Sequence, residues 1–170
     1  MPLDTGTGQP KASKASAKSA KGQDALKLLK TDHGEVEKLF QQYERLKETD
    51  DSKKEDLIEQ ICTALTVHAQ IEEEIFYPAA RNALEDDGED MLDEAEVEHA
   101  SIKSLIEQLE TMSPDDELCD AKVKVLSEYV KHHVKEEEDE MFPKVKKSAL
   151  DLEALGEEMV ERKNQLMADM

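Results

Sequence analysis

Two stretches decide how this chain folds: HAQIEEEIFYP at residues 68–78 and HHVKEEEDEMFP at residues 132–143. Each carries a histidine, a glutamate four residues on and a proline six beyond that, namely His68, Glu72 and Pro78, then His133, Glu137 and Pro143. The offset is constant, since 133−68, 137−72 and 143−78 all equal 65. Working outward, apolar residues keep the same register at positions −10, −7, −3 and +8 from each histidine: Ile58/Val123, Ile61/Leu126, Leu65/Val130 and Phe76/Met141. Upstream, Asp32-His33 is answered by Glu98-His99, 66 residues later. After each of those histidines the apolar pairs are Val36/Ile102, Leu39/Leu105, Phe40/Ile106, Tyr43/Leu109 and Leu46/Met112. The chain therefore reads as two helix pairs, each spelling His and then His-x-x-x-Glu.

Spacings of three and four residues are those of one face of an α-helix. The first helix begins near Asp24. A capping box at Ser52-Lys-Lys-Glu55 is expected to open the second, and Pro78 to kink or end it. The third runs from about Met91 to Met112. Ser113-Pro114 is expected to supply the N-cap and first-turn proline of the fourth, which carries to Pro143. Ser148-Ala-Leu-Asp151 is expected to cap a fifth helix. Four helices with short loops predict an all-α, up-down-up-down antiparallel four-helix bundle. The expected division is a Lys/Ala/Ser-rich disordered tail at 1–22, the bundle at 23–147 and a C-terminal helix extension at 148–170.

Composition bounds the class. Charged residues make up 38% of the 170, and six Gly, five Pro and no Trp suit long amphipathic helices rather than a sheet. A net charge of −20 argues against nucleic acid or an anionic membrane as partner, because phosphates would be repelled. Cys62 and Cys119 stand alone, which fits two buried or half-buried thiols in a reducing compartment rather than a disulfide scaffold. With no run of apolar residues as long as a membrane span, the expected location is the cytoplasm.

His33, His68, His99 and His133 each fall on the apolar stripe of a different helix, and Glu72 and Glu137 follow one turn later on the same faces. Four imidazoles and two carboxylates then point into the centre, where a carboxylate is costly unless it is paired or bound to a cation. One histidine on an apolar face is ordinary; four of five, one per helix and in a shared register, point to a metal site. The fifth, His132, also has a glutamate four residues on, but one residue turns a helical side chain by about 100°. Val130 and Leu126 share the face of His133, so His133 is the expected ligand and His132 a rim residue. Nitrogen with carboxylate ligation suits iron, manganese or zinc. Six side chains exceed one zinc ion and suit two metals, with Glu72 and Glu137 bridging and an oxide or hydroxide between the ions; which histidines share a metal stays open.

Asp32-His33, HAQIEEEIFYP, Glu98-His99 and HHVKEEEDEMFP together resemble the hemerythrin-like HHE cation-binding domain over roughly residues 24–147, and LDLEALGEEMVERK resembles the C-terminal extension common in that family. The resemblance implies a non-heme di-iron centre in a four-helix bundle, with His33, His68, Glu72, His99, His133 and Glu137 as ligands to two Fe ions. It is closest to the H-HxxxE-H-HxxxE subgroup, associated with iron handling, peroxide breakdown and oxygen sensing. Oxygen-carrying hemerythrins have a second histidine four residues after that of the third helix, where this chain has Lys103. They also have an aspartate at longer spacing, where this chain has Glu137. One imidazole fewer beside an all-glutamate pair of carboxylates favours ferric iron over reversible O2 carriage. The function expected is thus a di-iron protein that reacts with O2 or peroxide, as a weak catalase-like enzyme or as a store or sensor of iron. A reversible carrier of O2 or NO, and a structural bundle with zinc or a vestigial site, are the alternatives.

Overall fold

A computed structural model describes residues 24–46 and 50–170; the tail expected over residues 1–22 lies outside them. Among the described residues the chain is helical, and the expected antiparallel four-helix bundle with an added C-terminal helix is what it forms. The first rod is α1 (Ala25–Glu44). The second is α2 (Asp51–Ile71), a π-helical turn (Glu72–Phe76) and α3 (Tyr77–Leu84). The third is α4 (Glu89–Glu110). The fourth is α5 (Cys119–Glu136), a second π-helical turn (Glu137–Met141) and α6 (Phe142–Lys147). The added helix, α7 (Leu152–Ala168), packs on α1, on α2 and on the first π turn.

Of the two outcomes expected at Pro78, a kink or an end, the end does not occur: the rod continues past it. The backbone N–H of Tyr77 bonds to the carbonyl of Glu72 and that of Phe142 to Glu137, each an i→i−5 bond that widens the helix just before the proline. The wider turn relieves the clash between a proline ring and the preceding turn, so each rod continues. Two start signals are also corrected. Asp50, not Ser52, occupies the N-cap of α2, so no Ser52–Glu55 capping box forms. Ser113 and Pro114 belong to a turn, where the Ser113 N–H donates to Asp116 Oδ2 at 2.8 Å, and α5 starts only at Cys119. Asp24 and Asp151 do cap their helices, accepting from Lys27 N at 2.8 Å and Ala154 N at 3.1 Å. Gly88 closes the turn before α4 where a Cβ would lie 2.7 Å from Leu84 Cβ, which no side chain allows.

The core has two apolar parts. One, at the α7 end, gathers Leu29, Ile71, Phe76, Leu92, Phe142 and Met159. The other gathers Phe40, Ile61, Leu65, Ile106, Leu109 and Leu126. Both cysteines are buried and free. Between the two parts every rod contributes buried polar side chains: Asp32 and His33, His68 and Glu72, His99, and His133 with Glu137.

Candidate metal centre

The six residues singled out in the sequence meet in this polar layer. Glu72 and Glu137 are 0% and 1% exposed, burial that a carboxylate tolerates only against cations or donors. Both open their π turns, so the same widening that accommodates each proline sets the glutamate at the centre. The histidines form two pairs, His33 with His68 and His99 with His133, with ring centroids 4.9 Å and 4.7 Å apart. Donor atoms of His33, His68 and Glu137 lie within 4.8 Å of one another, as do those of Glu72, His99 and His133. Each glutamate reaches both pairs. Glu72 Oε1 lies 2.8 Å from His68 Nε2 and 3.5 Å from His99 Nε2. Glu137 Oε1 lies 2.7 Å from His133 Nε2 and 3.7 Å from His33 Nε2.

These contacts leave the inner atoms unsatisfied. Nε2 of His33 and His68 and both carboxylate oxygens of Glu72 and Glu137 are buried with no hydrogen-bond partner, although backbone and side-chain polar atoms in protein interiors are nearly always paired. Cations placed among them would satisfy all of them at once, and nitrogen plus carboxylate oxygen is a donor set for a transition metal.

On the outward side every imidazole meets a carboxylate. His68 Nδ1 donates to Asp32 Oδ2 at 2.9 Å, His33 Nδ1 to Glu138 Oε2 at 3.2 Å and His133 Nδ1 to Glu98 Oε1 at 3.2 Å. His99 Nδ1 lies 3.4 Å from Glu73 Oε2. Such carboxylates fix the tautomer, turn Nε2 inward and raise its donor strength. The sequence reading missed this shell, yet its signal was present. The outer acids are the residue before His33, the residue before His99 and the residues after Glu72 and Glu137, so the repeat encodes them too.

Charge follows from this arrangement. Burial opposes protonation of His68 and His133, but Glu72 with Asp32, and Glu137 with Glu98, outweigh it and raise the two imidazoles to about 10 and about 11. Burial likewise opposes ionisation of Glu72, yet the adjoining histidines hold its carboxyl well below the usual range. His133 holds Glu98 below its ordinary value as well. Without a cation the layer thus stores protons on histidines that a metal would displace.

His132 stays at the rim with 66% of its side chain exposed, between Glu98 and Glu136 at 3.5 Å and 3.1 Å from its Nε2. Lys103 turns away from the centre to pair with Glu73 at 2.5 Å. Tyr77 has a larger part than its sequence context suggested: its Oη lies 3.1 Å from His99 Nε2 and 3.2 Å from His133 Nε2. Burial, then the Glu72 and Glu137 charges, push its phenol well above the ordinary value, so it remains a hydroxyl. The residue 65 positions on, Phe142, stacks on His33 instead, with centroids 6.1 Å apart and rings 4° from parallel.

A four-helix bundle with a buried histidine–glutamate layer defines a class of cation-binding protein. The sequence profile of the Hemerythrin HHE cation binding domain matches residues 24–145, and the chain belongs to that family. Among relatives, a protein of Nostoc sp. (strain PCC 7120) described as a DNA nickase is 31% identical over 120 residues, covering 70% of this chain and 32% of that protein. The chain thus spans about a third of that relative's length. The crystal structure of a hemerythrin HHE cation binding domain-containing protein from Mycobacterium kansasii matches with a TM-score of 0.73 and 22% identity, over 86% of this chain and 89% of that one. That likeness is one of fold.

Proposed function

We propose that this chain holds two iron ions through His33, His68, Glu72, His99, His133 and Glu137, and that its loaded form reacts with O2 or peroxide in iron handling or protection from oxidants. The observation that carries the reading is the set of buried Nε2 and carboxylate atoms that crowd together in one layer without an aligned hydrogen bond. Two iron ions held there would supply Lewis-acid and redox chemistry to a small oxygen ligand. The protein's own part is to aim four imidazoles, to neutralise charge with two glutamates that reach both histidine pairs, and to keep bulk water out. A cavity of about 20 Å³ adjoins the four histidines, walled by Val36, Leu65, Ile102 and Val130; it has room for only the smallest ligands. Tyr77 offers a hydroxyl proton beside His99 and His133.

With Lys103 turned away to Glu73 the donor set has four imidazoles and two carboxylates, one imidazole fewer than in an oxygen carrier, which favours a ferric resting state and irreversible reaction over carriage of O2. Nicking of DNA is not carried over from the Nostoc relative, since a chain of net charge −20 repels phosphate. No helix of the described residues is long and apolar enough to cross a membrane.

The test is anaerobic reconstitution with Fe(II), metal analysis, and then peroxide addition with an oxygen electrode. About two irons per chain and gas evolution that disappears in His68→Ala are expected. Stoichiometric zinc uptake with no uptake of iron would overturn the proposal.

A further inference from the structure

The outer acids are not equally placed. Two of the four carry a lysine on their second oxygen. Lys103 Nζ lies 2.5 Å from Glu73 Oε1, behind His99, and Lys163 Nζ donates to Asp32 Oδ1 at 2.6 Å, behind His68. Each histidine pair therefore has one imidazole backed by a carboxylate–lysine brace and one backed by a carboxylate alone. In the His99/His133 pair the brace comes from within the bundle. In the His33/His68 pair the repeat counterpart of Lys103 is an acid, Glu37 (103−66), and His33 has no such brace. The brace of that pair comes instead from α7, 131 residues along the chain from Asp32.

We propose that Lys163 is a positioning residue of the metal centre: acting through Asp32, it fixes the imidazole of His68, so that the C-terminal helix completes the cation site of the His33/His68 pair. The inference rests on the two-metal reading above. Docking of α7 alone does not account for Lys163. Leu155 and Met159 already bury α7 against the core, and Arg162 pairs with the surface Glu74 at 2.7 Å. Lys163 instead reaches past a surface rich in acids to a carboxylate that is 5% exposed and whose other oxygen engages a candidate ligand. An ammonium there holds Asp32 in one orientation. Without it the carboxylate has His68 as its remaining partner and the ring loses a fixed bearing. Groups that orient ligands in this way are worth about tenfold or more in metal affinity.

The experiment is titration of the metal-free full chain with Co(II), followed by its visible d–d absorption, in four proteins: wild type, Lys163→Gln, Lys163→Arg and Arg162→Gln. Wild type is expected to take up two ions. Lys163→Gln should bind one of them about tenfold more weakly, with a changed d–d band for that ion and the other untouched. Lys163→Arg should restore both, and Arg162→Gln, which loosens α7 without touching Asp32, should match wild type. The inference is overturned if Lys163→Gln titrates like wild type, if it weakens both ions equally, or if Arg162→Gln reproduces its effect. Failure of wild type to bind two ions would instead remove the two-metal reading, and this inference with it.

Discussion

The two halves of the polar layer are built from the same words and finished differently. His33, His68 and Glu137 face His99, His133 and Glu72 across it, and each imidazole in both halves is backed by an acid. Yet the second half holds the Tyr77 hydroxyl where the first has the ring of Phe142, and the first takes its lysine from α7 where the second takes Lys103. The difference teaches that the repeat fixes where cations can sit, while residues outside the repeat make the two positions chemically distinct. The layer thus has a hydroxyl on one side and an apolar ring on the other.

The sharpest way to break this comparison is to remove ligands from one half. Because Glu72 reaches both histidine pairs, Glu72→Ala should abolish binding of both ions, His133→Ala should lose at least one, and His132→Ala should lose none; elemental analysis after reconstitution decides. Normal metal content in His133→Ala with loss in His132→Ala would reverse the register assigned to α5. A smaller effect is expected where the halves differ most. Tyr77→Phe makes the second half resemble the first, and should keep two ions but slow peroxide loss about a hundredfold, the lower end for loss of a positioned proton donor.

Protonation offers a third probe, and here the halves should behave alike. His68 and His133 are repeat counterparts, and both are raised from 6.5 towards 10 and 11 in the metal-free chain. A histidine whose folded value exceeds its unfolded one stabilises fully below pH 6.5 and loses that contribution as pH rises through the folded value. Metal-free protein should therefore lose stability steadily between about pH 6.5 and pH 11, read from urea midpoints, and metal uptake at pH 7 should release about two protons, read by calorimetry in buffers of different ionisation enthalpy. Uptake with no proton release would contradict the charge assignment. The smallest effect tests a lapse in the repeat. Gly34 corresponds to Ala100 (100−34 is 66) and has nothing within 4 Å of a would-be Cβ, so Gly34→Ala should raise stability by about 0.5–1 kcal/mol with metal content unchanged.

The bundle and the six convergent side chains were legible because they depend on periodicity. Residues at i, i+3, i+4 and i+7 share a face whatever the neighbouring helices do, and a 65-residue echo cannot keep four histidines in register by accident. The π turns were not legible, since an i→i−5 bond leaves no mark in side-chain type; Pro78 was read as a kink or an end and Pro143 as the limit of its helix. Ser52 and Ser113 misled because a helix start depends on where the preceding loop delivers the chain, and at Ser113 the backbone N–H is taken by Asp116 within a turn. Lys163 was beyond reach for a different reason. Its contact with Asp32 joins residues 131 apart, and in a chain with 42 acids no pattern tells which one a lysine will find.

The separation of the apolar interior into two parts has a consequence for cooperativity. Every rod runs through both parts, so the peptide backbone links them, but between them lies a layer of carboxylates and imidazoles instead of interlocking hydrocarbon. Cations held in that seam would tie the two ends together, so loaded protein is expected to melt in one calorimetric transition and metal-free protein in two.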